Sequence, residues 1–323
     1  MEEVSRPCAL GRPLSLSSSY KILPTFVDHV EKLVQSSLST NTTNAYEKAV
    51  QAFQLFRAQF SLQHTWPPTV DQLINFLAYL FARNLSYSTA KSYLAGLSFF
   101  LQLHGYHNTV KAFIVQKMLT GFRRQNPTQD IRSPITYSML SKILSALPNL
   151  TKSLYESHLF GAAFSLAFFG MFRVGEITLT RHSSVEKILQ LSDTYIDSDT
   201  IHLFLRYSKT DQFGSGTTIT ITKSPESNVC FQFLNSYLQC RPSQLGPLFC
   251  HINAKPLTSF QFSSILQKCL NFLQVDTKTF KSHSFRIGAA THLYMAGIPE
   301  SQIQNRGRWQ SNAYKRYLIP ELV

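Results

Sequence analysis

Acidic residues are scarce in this chain. Eighteen Asp and Glu face 31 Lys and Arg, which leaves a formal charge of +13 over 323 residues. That imbalance favours a polyanionic partner, and nucleic acid is the commonest one. Long apolar runs are missing too, which excludes a membrane-spanning helix, and no polybasic run flanks an amphipathic helix, which argues against a membrane surface. Only five cysteines occur, Cys8, Cys230, Cys240, Cys250 and Cys269. Their number is odd and their spacing shows no CxxC or Cys/His ligand pattern, so a disulfide framework and a structural zinc are both excluded. A reduced intracellular protein is the expectation. The opening MEEVSRPCALGRP has no apolar core and is no secretory signal. There is also no clear basic nuclear-import run and no internal repeat, so location has to follow from the substrate.

What is present reads as two domains. Residues 1–20 are rich in Ser, Pro and Arg and read as a flexible tail. Residues 21–125 are helical text throughout. Phe26, Val30, Leu33 and Val34 keep a helical beat. Thr42 or Thr43 is positioned to cap AYEKAVQAFQLFRAQF, Thr69 to cap VDQLINFLAYLFARN, and Ser88 to cap TAKSYLAGLSFFLQLHG, which stops at Gly105. A last helix, VKAFIVQKMLTGFRR, closes the set. Lys48, Lys91, Lys111, Lys117, Arg123 and Arg124 fall on polar faces. They are either a solvated surface or a grip on a phosphate backbone, and the net charge favours the grip. The polar, proline-bearing stretch at 126–134 reads as a linker.

Residues 135–323 form the second domain. A short helix, TYSMLSKILSALPNL, precedes an almost wholly apolar one, YESHLFGAAFSLAFFGMF, which must be buried. Its end delivers Arg173, which either snorkels outward or points into a site, with Glu176 three residues on to orient it. TIHLFLRYSK and GSGTTITIT then alternate as a β-hairpin, with Lys209 at the tip. A hairpin-tip lysine is usually a solvated gatekeeper; the sharper reading is a mobile proton donor reaching into a cleft. Helical text resumes through NVCFQFLNSYLQCR and SFQFSSILQKCLNFLQV. Finally His283 and Arg286, three residues apart, would share a helix face and suit an anion. Trp309 follows, then Tyr314 and Tyr317, one helical turn apart and inseparable by periodicity. A tyrosine beside such a clamp can attack phosphorus once the developing oxyanion is stabilised.

FRVGEIT, HSFRIGAATHL and GRWQSNAYKRYL, in that order, resemble the three boxes of the tyrosine recombinase (phage integrase) family, over about residue 20 to Tyr317. The wording RWxSxAYxRY is most similar to the crypton and DIRS-like recombinases of eukaryotic mobile elements. The resemblance implies a mainly α protein: an N-terminal helical core-binding bundle, then a mostly helical catalytic domain with a small antiparallel sheet, closing as a clamp on duplex DNA. It implies site-specific strand cleavage and rejoining through a 3′-phosphotyrosine, as in integration or excision of a mobile element. Arg173 and Arg286 would clamp the scissile phosphate, with His283 assisting. Lys209 would protonate the leaving 5′-oxygen, and Trp309, donor-only, would hold an oxygen or pack the site. Family spacing favours Tyr317 over Tyr314 as nucleophile. No metal, ATP or small-molecule cofactor is implied. Partners would be double-stranded DNA and further copies of the chain, dimer to tetramer, on that DNA, with a nuclear location in a eukaryotic host. Only LIPELV follows Tyr317, which leaves little tail to exchange between subunits. Two rivals compete: a type IB-like topoisomerase with the same chemistry, and a domesticated, non-catalytic DNA-binding protein. The full set of site residues argues against the second. An RNA-binding helical protein would explain only the charge.

Overall fold

The computed structural model describes residues 20–127, 131–181, 183–208, 211 and 214–319. Two compact units divide the chain, Met1–Asp130 and Ile131–Val323, with the division inside the 126–134 stretch. The tail at 1–19 and Lys209 lie outside the described residues.

The first unit is helical: α1 (Val27–Ser36), α2 (Thr40–Gln59), α3 (Val70–Ala82), α4 (Tyr87–Leu103) and α5 (Phe113–Gln125). Three hydroxyls start three of them. Ser39, Thr69 and Ser86 each accept the amide N–H three residues on, at 3.2–3.3 Å. Thr69 is the expected cap. Ser39 and Ser86 replace Thr42/Thr43 and Ser88, because a string of hydroxyl residues lets the helix start at its first usable acceptor. Gly105 ends α4 as expected, in the left-handed region at φ 68°. Its N–H reaches the Gln102 carbonyl, and Tyr106 N–H reaches Leu101, which satisfies two orphan carbonyls. The predicted last helix is broken: a 3-10 turn at Thr109–Lys111 and an extended Ala112 precede α5.

Phe53, Phe56 and Phe76 anchor this core, with the Phe53 and Phe76 rings edge-to-face at 5.1 Å. Each fully buried ring contributes about 1.5–3 kcal/mol. Gly96 lets α4 sit against α2, since a Cβ there would lie 2.7 Å from the Ala49 methyl. Arg57 is buried, stacked on Phe53 and Trp66, with its Nη1 donating to the Thr65 carbonyl at 2.8 Å. Burial pulls its guanidinium down to about 10. The helical beat of α1 buries nothing, and Leu33 is exposed.

The second unit is built on α7 (Leu154–Phe169), where 12 of 16 residues are buried. A helix apolar all round must be enclosed. Around it stand α6 (Tyr137–Leu150), the short α8 (Val174–Ile177), α9 (Asn228–Cys240), α10 (Ser259–Phe272), α11 (Ser284–Met295) and α12 (Glu300–Arg306). A 3-10 helix, Asn312–Tyr317, follows. The sheet has three antiparallel strands in the order β1 (Thr194–Ile196), β2 (Thr200–Leu205), β3 (Thr217–Thr222). The expected hairpin is β2–β3; the three-residue β1 is additional. Ile201, Leu203, Ile219 and Ile221 face the core, with Ile201 opposite Ile221 and Leu203 opposite Ile219. No helix among the described residues is long and apolar enough to cross a membrane.

Candidate active site

Where α7 stops, the chain turns sharply. Gly170 closes the helix, and Met171 adopts φ 48°, a left-handed position that favours glycine. The turn aims the Met171 carbonyl at two arginines and places Arg173 at the start of α8. There Glu176 works twice. Its Oε2 accepts the Arg173 backbone N–H at 2.9 Å, and its Oε1 accepts from Arg173 Nη1 at 2.9 Å. The expected pairing of Arg173 with Glu176 is thus direct.

Arg286, on α11, is 1% exposed. Its two terminal nitrogens donate to the carbonyls of Met171 and Gly307, and its guanidinium lies 4.3 Å from the centre of the Trp309 ring. Its Nε is buried without a hydrogen-bond partner. Burial, reinforced by repulsion from Arg173 and Arg308, pulls this guanidinium down to about 9. Trp309 serves here as packing and as a π-face for the cation.

His283 occupies the N-cap position of α11 rather than its body. Its Nε2 lies 2.9 Å from the Tyr317 hydroxyl. The Tyr317 ring lies tilted against Trp309 with centroids 5.3 Å apart, and the Tyr317 carbonyl accepts from the Thr291 hydroxyl at 2.6 Å. Tyr314 is elsewhere: buried, its hydroxyl donating to Glu300 Oε2 at 2.8 Å. That hydrogen bond, then burial, raises its pKa. The two tyrosines are therefore chemically distinct, one beside an imidazole and one tied to a carboxylate.

A cleft of about 550 Å³ opens between the β2–β3 hairpin and α12, with Ser208, Asp211, Thr217, Gln304, Arg308 and Trp309 among its lining. Ser208 and Asp211 flank Lys209 in sequence. Among the described residues, no group of three or more His, Cys, Asp or Glu is arranged to hold a metal ion.

Two family models match this chain. The phage integrase family covers residues 162–318, which include every site residue above, and the phage integrase N-terminal SAM-like domain covers 26–106. The chain belongs to the phage integrase family. An integrase/recombinase xerD homolog of Selenomonas ruminantium is 25% identical over 301 residues, 87% of this chain and 82% of that protein. The fold is shared with XerH site-specific recombinase bound to palindromic difH substrate, at TM-score 0.64 and 17% identity, over 96% of this chain and 89% of that one. It is shared too with the Tn1549 transposon integrase in complex with circular intermediate DNA: TM-score 0.60, 16% identity, 87% and 90% covered. A lambda integrase dimer bound to a COC′ core site gives TM-score 0.58 at 17% identity, with 92% and 77% covered.

In this phage integrase family member the structure brings together Arg173, Glu176, His283, Arg286, Trp309 and Tyr317. The candidate DNA contacts Lys48, Lys91, Lys117, Arg123 and Arg124 are all exposed on helices of the first unit. The sequence reading missed Arg308. Its side chain is 7% exposed, and its Nη2 donates to Glu176 Oε2 at 2.9 Å and to the Met171 carbonyl at 3.2 Å, while Nη1 reaches the Gly170 carbonyl. Burial lowers its pKa against the pull of Glu176. The only hint in the sequence was a basic residue wedged between Gly307 and Trp309.

Proposed function

We propose that this phage integrase family protein is a site-specific recombinase that cuts and rejoins duplex DNA through Tyr317. The observation that carries the reading is the 2.9 Å approach of His283 Nε2 to the Tyr317 hydroxyl, next to a cluster of arginines. The phenolic oxygen attacks the scissile phosphorus while His283 accepts its proton. Arg173 and Arg286 donate to the non-bridging oxygens, where charge accumulates in the phosphorane-like transition state. The unpartnered Nε of Arg286 is a donor such an oxygen could satisfy. The bond to the 5′-oxygen breaks, and Lys209 supplies the proton that makes it a hydroxyl. A 3′-phosphotyrosyl link retains the phosphodiester's energy. Attack by a 5′-hydroxyl of the same or a partner strand reverses every step, so neither metal nor nucleotide is consumed.

The exposed basic residues of α2, α4 and α5 would neutralise backbone phosphates. Several copies would act together on the DNA, as exchange between two duplexes requires two pairs of cuts. The GRWQSNAYKRYL wording supports a mobile-element recombinase of the crypton or DIRS-like kind, which would act in the nucleus. The test is a nicked suicide duplex that loses the short fragment after cleavage and traps the covalent adduct. Peptide mapping should place the DNA on Tyr317. An adduct on Tyr314, or none on any cognate duplex, would overturn the reading.

A further inference from the structure

Arg308 stands in a backbone conformation that disfavours it. Its φ is 56°, in the left-handed region where glycine carries no penalty and a side chain does. A long charged side chain held there, and buried, has something to do. Its partners say what. Glu176 divides its two oxygens between two guanidinium groups: Oε1 takes Arg173 Nη1, while Oε2 takes Arg308 Nη2 and the Arg173 backbone N–H. Arg173 therefore meets the carboxylate through one terminal nitrogen only. Carboxylate and guanidinium otherwise prefer two parallel bonds, a geometry that would occupy Arg173's fork and cancel its charge.

We infer that Arg308 is a positioning residue whose task is to hold Glu176 Oε2, keeping Glu176 from closing both oxygens onto Arg173 and so leaving Arg173 open to phosphate. The carbonyls of Gly170 and Met171 fix Arg308 in that place through its remaining donors. The cluster then contains three guanidinium groups and one carboxylate, a surplus of two positive charges for an anionic transition state. This rests on the recombinase reading above.

The test is single-turnover adduct formation by the full chain on a nicked duplex, with DNA affinity measured in parallel. Arg308→Gly suits the backbone and deletes only the side chain. It should slow cleavage by roughly 10–100-fold, the usual effect of losing a residue that orients a reacting-site group, with DNA affinity changed by less than about 3-fold because the phosphate contacts remain. The deciding measurement is the sign of the double variant. Glu176→Gln cannot neutralise Arg173, so Arg308→Gly with Glu176→Gln should cleave faster than Arg308→Gly alone. Arg308→Lys, which keeps a charge on Oε2, should fall between wild type and Arg308→Gly. A double variant as slow as, or slower than, Arg308→Gly would overturn the inference, as would Arg308→Gly cleaving within about 2-fold of wild type. If wild type itself forms no adduct, the recombinase reading has failed, and this one with it.

Discussion

Gly288 sits in the first turns of α11, two residues past Arg286, where the helix touches the backbone that leads into α6. A Cβ at this position would lie 1.8 Å from the Ile135 carbonyl oxygen and 2.6 Å from its carbon. Ordinary carbon–oxygen approach is about 3.3 Å, so Gly288→Ala must drive the two backbones apart by roughly 1.5 Å. The Ile135 N–H bond to the Ser284 carbonyl, now 3.0 Å, cannot survive that movement. Overpacking costs about 1–3 kcal/mol and the lost hydrogen bond about 1 kcal/mol more. A total of about 2–4 kcal/mol corresponds to a melting-temperature fall of roughly 4–16 °C for a unit of this size. The chemistry should suffer further, because α11 carries Arg286 and begins at His283. Misplacing such groups by about 1 Å costs on the order of 10²-fold in rate. Calorimetry and single-turnover adduct formation would read the two effects. Gly121→Ala is the matched control: nothing lies within 4 Å of its added methyl, and a helical glycine replaced by alanine should gain about 0.5–1 kcal/mol. If Gly288→Ala melts within about 2 °C of wild type and cleaves at the same rate, the close contact does not set the position of α11.

Tyr317→Phe should abolish the adduct while DNA binding survives, whereas Tyr314→Phe should still cleave, with a destabilisation of about 1 kcal/mol from the lost bond to Glu300; cleavage by Tyr317→Phe would rule out the assignment. Burial draws the Arg286 guanidinium down to about 9, and the same burial acting on a lysine would lower its ammonium below the ordinary value of about 10.4. Arg286→Lys should therefore cleave faster toward lower pH as the ammonium regains its proton, where a flat or rising alkaline profile would contradict the argument. Cleavage and resealing should proceed in excess EDTA without nucleotide, and a strict magnesium requirement for the chemical step would point to a different mechanism. Replacing the bridging 5′-oxygen by sulfur should restore cleavage by Lys209→Ala but not by Arg286→Ala; equal failure of both would remove the general-acid role from Lys209.

Most helices could be read from the sequence because hydrophobic periodicity and hydroxyl caps pointed the same way, as at Thr69 and α3. Errors arose where several hydroxyls compete, at Ser39 and Ser86, and where β1 is too short to show alternation. Arg173, Glu176, His283, Arg286 and Trp309 were named as candidates from the three motif boxes that carry the family resemblance. The two tyrosines were not separable by period, and the structure explains why. In a 3-10 helix residues three apart lie on one ridge, so Tyr314 and Tyr317 differ by about 6 Å along the axis rather than by face. Only the partners at each level, Glu300 and His283, distinguish them. Arg308 was invisible because its role depends on a left-handed backbone and on a carboxylate 132 positions away in the chain.

The Met171 turn bears on how such a site can drift. The acceptor shared by Arg286 and Arg308 is a main-chain carbonyl, so no exchange of the Met171 side chain can delete it. An alanine scan at this buried position would read the core packing the side chain loses, not the carbonyl that holds the two arginines. What the position does forbid is proline, whose ring fixes φ near −65° and would point the carbonyl elsewhere. Variation here is held to side chains that fill the core and to a left-handed backbone, so side-chain identity at residue 171 reports on packing and is a poor guide to whether a related chain keeps the site.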